Sequence, residues 1–229
     1  MDQAGTDQMG EGQLDANQAS ANQADADQAG TDQSGLPPVT WANFKGHMVT
    51  ITKHKLLVMQ LCFRVGLYRQ GLVHDFSKYT PTEFMTGARF YQGTRSPNAA
   101  ERDFRGFTEA WLHHKGRNRH HFEYWLDAVP DRRTGEPVTA APMPTRYIVE
   151  MFCDRVAACK VYQGDAYTDR SPLEYFLKNR KIVKMNPDTM AILEGMLEYL
   201  AENGEERTLV AVRKAIVEPR WSFGESARF

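Results

Sequence analysis

Apolar residues recur every three or four positions along most of the chain beyond residue 36, and almost nowhere do they alternate. His47, Ile51, His54, Val58, Leu61, Val65 and Tyr68 fall on one helical face. The spacing predicts a single long helix from Phe44 to Gln70, with Gly71 as its stop. Thr80, Pro81 and Glu83 form a capping-box pattern, which makes Glu83 a helix cap. "SPNAAE" (96–101) and "SPLE" (171–174) start helices in the same way. A loop containing Pro and Gly is expected between Pro130 and Pro144, and helical periodicity resumes over 145–162. There Tyr147, Met151, Asp154, Ala158 and Val161 share a face. Asn186 caps a helix that runs to Gly204, and "AVRKAIVEPRWSF" (211–223) reads as an amphipathic basic helix and a loose end that cap the bundle. With no alternating strand, the expected class is all-α, a helical bundle.

Residues 1–35 have a different character. "TDQMGEGQLDANQASANQADADQAGTDQ" consists of imperfect Ala/Asn/Asp-Gln units with one leucine and no aromatic residue. Such a segment cannot bury enough apolar surface to offset its chain entropy, so a disordered tail is expected ahead of a helical domain over 36–229. A solenoid would need apolar anchors that the units lack.

Charge and cysteine content narrow the function classes. Twenty-eight basic against 29 acidic residues give a net charge of −1, so the overall balance gives no reason to expect nucleic acid, and anion binding must be local. The three cysteines form no CxxC pair and are expected to be reduced thiols of a cytoplasmic protein. Met1 is followed by acid and glutamine, which is not a secretory signal, and no apolar run is long enough to span a membrane. A homo-oligomer is compatible with the sequence.

Two apolar faces carry an ionisable intruder, His54 in one and Asp154 in the other. A buried carboxylate needs a cation or strong donors, and Arg155, Arg64 or Arg69 would suffice for a plain salt bridge. The adjacent His74 and Asp75 in "VHDFSKY" (73–79) change the balance. Imidazoles and carboxylates brought together from separate helices are what a transition metal or Mg²⁺ site uses. Four of the seven histidines, His113, His114, His120 and His121, stand in "AWLHHKGRNRHHFEYW" (110–125), separated by Lys115, Arg117 and Arg119. His47, seven residues before His54, is read as packing or supporting the ligands, with a spare role as ligand. Phe104, Phe107, Trp111, Tyr124, Trp125, Tyr147, Tyr162 and Tyr175 are read as core.

The order His54, "HDFSK", "HHKGRNRHH", "CDRVAACKVY" resembles the HD-domain superfamily of all-α metal-dependent phosphohydrolases. Lys78 has the HDxxK spacing, and "HHFE" (120–123) looks like the stretch that feeds a second metal in binuclear members. The block from 44 to 204 also resembles a bacterial and phage family known only as a domain of unknown function, through "HDFSKYTPTEF", "YQGTRSPN" and "WLHHKGRNRHH". The first resemblance implies a first metal held by His54, His74, Asp75 and Asp154. One or two divalent ions (Mn, Zn, Ni, Mg or Fe) are compatible with it, and which of the four clustered histidines are ligands stays open. It also implies a small phosphorylated substrate, a nucleotide or another phosphate ester. Asp75 and Lys78 would act catalytically, with Lys115, Arg117 and Arg119 on the anion. A di-iron oxygenase and a non-catalytic, metal-stabilised binding module are the competing readings.

Overall fold

The computed structural model describes residues 35–217. The expected tail, and the end of the "AVRKAIVEPRWSF" segment, lie outside them. The described chain is all-α. Helix α1 (Trp41–Arg64) is opened by the Thr40 side chain, which accepts from the amide of Asn43. It stops sooner than periodicity suggests. Gly66 takes a left-handed φ of 88°, and the amides of Gly66 and Leu67 donate back to the carbonyls of Phe63 and Cys62. This is a Schellman cap, and only a residue without Cβ enters it cheaply. A separate short helix α2 (Tyr68–Val73) follows. Gly71 lies inside it, against Cys62 and Phe63, where its missing Cβ lets α2 lie on α1.

The chain then passes through a 3-10 turn (Phe76–Tyr79) into α3 (Pro81–Arg89), α4 (Pro97–Arg105) and α5 (Glu109–Lys115). A second 3-10 turn (Phe122–Trp125) leads to a minimal antiparallel ladder, β1 (Leu126–Asp127) with β2 (Thr139–Ala140). That ladder closes the expected Pro/Gly loop at its base; two residues per strand are too few to leave an alternating pattern. Helices α6 (Thr145–Gln163), α7 (Ser171–Asn179) and α8 (Pro187–Val217) complete the bundle. Asn186 caps α8, and Gly204 breaks it with φ 78°, where the sequence places its stop.

Helix α6 packs on both α1 and α8. Val58, Leu61 and Val65 of α1 meet Ile148, Phe152 and Val156 of α6, and beyond them Leu193, Met196 and Leu200 of α8. Each such side chain contributes about 1.5–3 kcal/mol when fully buried. A smaller cluster of Ile51, Phe84 and Ala88 joins α1 to α3. His54 stands between Ile51 and Val58 on the same stripe, so the ionisable residues collect at the junction of two apolar clusters. Of the aromatic residues expected in the core, Trp111 is buried, but Phe104 and Phe107 are about half exposed and Tyr124 is on the surface. Among the described residues no helix is long and apolar enough to cross a membrane.

His47 is a packing residue here. Its ring lies against Phe84 and Tyr91 and directly over Gly87, where an added Cβ would collide with the imidazole. Gly87→Ala is therefore expected to lower stability by roughly 1–3 kcal/mol, read from chemical denaturation. Adding His47→Ala should recover part of the loss, and additive losses would argue against the collision.

Candidate metal centre

The site is built around a strained residue. Asp75 follows α2 and is the one non-glycine with positive φ (54°) among the described residues. That costs about 1 kcal/mol or more and persists only where the surroundings enforce it. Lys55 of α1 does much of the enforcing. Its ammonium donates to the carbonyls of Leu72 (2.9 Å) and His74 (2.7 Å) and lies over the Phe76 ring. The two oxygens of Asp75 face different sets of imidazoles. Oδ2 faces Nε2 of His74 (3.3 Å) and of His54 (3.8 Å). Oδ1 faces Nε2 of His114 (3.3 Å) and of His120 (3.4 Å).

Three groups of metal-binding type result: His74, His120 and Glu150 make up the smallest, and Asp75 belongs to both of the others. His54, His74, Asp75 and Asp154 form one; Asp75, His114, His120 and His121 form the other. Within each, one donor atom per residue lies within 4.8 Å of all the rest. Asp154 Oδ1 stands 2.9 Å from His54 Nε2 and 3.6 Å from His74 Nε2. Its partners are thus imidazoles and not the arginines the sequence offered. Arg64 pairs with Glu205 and Glu206, while Arg155 is buried and Arg69 exposed.

The outward sides of the rings are held by carboxylates. Nδ1–H of His74 (3.1 Å) and Nδ1–H of His120 (3.2 Å) both donate to Oε1 of Glu150. Glu83 accepts from His114 (2.7 Å) and from His113 (2.5 Å) through its two oxygens. Glu83 is therefore not a helix cap: the Thr80 hydroxyl donates to the Ser77 carbonyl instead of capping α3. Asn118 braces the same corner, its amide donating to Ser77 Oγ and to the His114 carbonyl. A carboxylate on Nδ1–H fixes the tautomer and leaves Nε2 as a free lone pair, which is how metal-ligating histidines are oriented.

The inner atoms fit a divalent cation. Nε2 of His54, His74 and His120 and both oxygens of Asp75 are buried and make no well-directed hydrogen bond. Donors around an ion at about 2.1 Å stand roughly 3–4 Å apart, and the spacings above fall in or near that range. Burial opposes the charge on the carboxyls, but their cationic neighbours outweigh it. His74, Lys78 and His114 hold Asp75 well below the usual carboxylate range, and His54 and His74 do the same for Asp154. Glu150 is brought down to about 2 by the bonds from His120 and His74, against its own burial. Burial pushes His54 down, helped by Lys78, against the opposing pull of Asp154 and Asp75. His74 is also disfavoured by burial, yet Asp75, Asp154 and Glu150 raise it well above the usual histidine value. The carboxylates draw a positive charge into the site, supplied either by protons or by a cation.

The remaining sequence candidates are placed elsewhere. His113 leans on Glu83 outside both groups. Arg117 is exposed and donates to the His113 carbonyl. Arg119 stacks near Tyr124 and donates to the Tyr147 hydroxyl. Neither they nor Lys115 line the cavity over the cluster, because the turn after α5 carries the basic side chains outward while His114, His120 and His121 point in. Lys78 does line it, and its ammonium pairs with Asp75 Oδ2 at 2.7 Å, which raises the lysine above its ordinary value despite burial. Glu150 escaped the sequence reading, although its position one turn before Asp154 on an apolar helix marks it. Glu83 was hidden by a motif with a simpler meaning.

Glu150 touches one histidine of each group, whereas Glu83 touches His114 alone among the grouped residues. Glu150→Ala is expected to weaken Mn²⁺ binding at both positions by about 10–100-fold. Glu83→Ala should lower the bound-metal ratio towards one; equilibrium dialysis with elemental mass spectrometry reads both, and equal loss at both positions with Glu83→Ala would contradict the division. Uptake must also displace the proton favoured on His74, so Mn²⁺ affinity should weaken as pH falls; a pH-independent affinity in the same dialysis would speak against these ligands.

The profile of a family of unknown function (DUF5662) matches residues 43–199, a span that contains both groups and the carboxylates behind them. No curated protein and no solved structure gives a significant match. The match covers more than half of the chain, and the protein belongs to this family of unknown function.

Proposed function

We propose that the protein is a metal-dependent phosphohydrolase of the HD-domain type, acting on a small phosphate ester. The observation that carries the reading is the shared Asp75, with imidazole Nε2 atoms gathered on each of its oxygens and ionised Glu150 and Glu83 behind the rings. The order of His54, the His74–Asp75 pair and Asp154, with Lys78 three residues after Asp75, supports the superfamily assignment. His54, His74, Asp75 and Asp154 would hold one ion, and Asp75, His114, His120 and His121 a second. The chemistry such ions supply is Lewis acidity, making water more acidic and polarising a phosphoryl oxygen.

The chain's own residues do the rest. Water adds to phosphorus, the ester P–O bond breaks, and one proton of the water ends on the leaving alcohol, giving the alcohol and inorganic phosphate. Asp75, fixed at its strained φ, orients the water through whichever oxygen faces it. Lys78, at the cavity wall, places an ammonium where negative charge grows on the phosphoryl oxygens. Glu150 and Glu83 keep the Nδ1 protons of His74, His120 and His114 in place, so these rings do not rotate or exchange tautomers during turnover. An apolar shell of Ile51, Trp111 and Val161 limits bulk water.

The test starts with the full chain purified without added metal, beside an Asp75→Ala, Asp154→Ala double variant. Mn, Zn, Ni or Fe in near-stoichiometric amount, lost in the double variant, is the expected result. Phosphate release from simple esters should follow, and Lys78→Ala should cut kcat by roughly 10²–10³-fold with metal content retained. Iron together with O₂ uptake and no phosphate release would assign a di-iron oxygenase instead. No metal in either protein, even after reloading, would leave a non-catalytic binding module.

A further inference from the structure

The cavity above the cluster has two lobes that share Thr50, Ile51, Lys78, Ser96, Asn98 and Tyr162. One lobe, about 80 Å³, has His54, His121 and Asp154 on its floor. The other, about 60 Å³, runs past His47 and Gly87 towards Pro97. A water takes roughly 10–15 Å³ of such space, so each lobe accommodates about four to eight water-sized groups. That is room for a phosphoryl group in the first lobe and a few further heavy atoms in the second. A ribose and nucleobase would have to extend beyond the two lobes.

Charge and ring placement agree with the size. Among the described residues, Lys78 is the one Lys or Arg lining either lobe. A nucleoside triphosphate carries several charges and is ordinarily clamped by more than one cation. The basic residues that would supply them, Arg117 and Arg119, lie on the outer surface. Trp111 packs its ring against His121 (4.8 Å between centroids) and His114 (5.5 Å), which leaves Tyr162 as the aromatic ring on the shared wall of the lobes. Besides Lys78, the wall that the two lobes share offers neutral polar groups. The Ser96 hydroxyl accepts from the Asn98 amide at the start of α4. The Thr50 hydroxyl is within 3.1 Å of the Tyr91 hydroxyl. The Asn98 side-chain oxygen receives only a long bond of 3.5 Å from Thr108. Hydroxyls and a side-chain amide match the hydroxyls of a short polyol. Glu83 at the edge of the lobe makes an anionic remainder unwelcome.

We infer that the substrate is the phosphomonoester of a short, uncharged polyol, of the size of glycerol phosphate, and not a nucleotide. The inference rests on the phosphohydrolase reading and narrows it. The phosphoryl group sits over His54, His121 and Asp154 beside Lys78, and the polyol chain extends between Thr50, Ser96 and Asn98.

The full chain loaded with Mn²⁺ is assayed for phosphate release from glycerol 3-phosphate, AMP and ATP. The expected result is a kcat/KM for glycerol 3-phosphate at least tenfold above either nucleotide. Asn98→Ala and, separately, Thr50→Val should raise its KM roughly three- to tenfold, the loss of one neutral hydrogen bond. Equal or better turnover of AMP overturns the inference while leaving the phosphohydrolase reading standing. If no ester is hydrolysed, that reading fails, and calorimetric titration with glycerol 3-phosphate and AMP decides the pocket. Tighter binding of glycerol 3-phosphate then upholds the size and charge argument, and equal or tighter binding of AMP removes it.

Discussion

Asp75, Asp154, Glu83 and Glu150 are buried or nearly so beside five inward-facing imidazoles and an ammonium, where two apolar clusters of the bundle adjoin. An isolated charge in such a place would be prohibitively costly. The arrangement is tolerable because each charge has an opposite within reach. Inner carboxylates face Nε2 atoms, outer carboxylates face Nδ1–H groups, and Lys78 stands on Asp75. The layering is what a cation requires, since it leaves lone pairs on the inside and donors on the outside. Removing one partner would leave an uncompensated charge, so the two layers stand or fall together.

That constraint shapes the helices around it. Helices α1 and α6 carry apolar residues deep in the bundle and ionisable ones a turn or two further along, so that His54 and Asp154 meet where the two apolar clusters adjoin. The Schellman cap at Gly66 and the close seat of Gly71 fold α2 back along α1. This return brings the His74–Asp75 pair opposite His54, and Lys55 then holds the turn. The left-handed turn at Asp75 sits within this return, held by the bonds from Lys55.

The segment from α5 to the second 3-10 turn shows how one stretch serves two environments. His114 comes from the last turn of α5, and His120 and His121 follow a tight turn braced by Asn118 and Ser77. Across that turn His114, His120 and His121 point into the centre while Arg117 and Arg119 lie on the surface. Among the described residues, Lys78 is the lysine or arginine left lining the cavity.

Much of this was legible from residue order. Periodicity gave the all-α class, the caps at Asn186 and Ser96, and the stripe that carries His54. The intrusion of His54 and Asp154 into apolar faces, with the His74–Asp75 pair between them, pointed to one site because buried ionisable groups need each other. Other features are decided only in three dimensions. The end of α1 depends on a left-handed glycine that competes with a continuous helical pattern. Glu83 looks like a cap until the fold brings His113 and His114 to it across 30 residues. Arg117 and Arg119 look like anion ligands until the turn faces them outward. Spacing along a chain fixes which residues share a face of one helix; which face meets which, and where a loop turns its charges, is set by packing between elements distant in sequence.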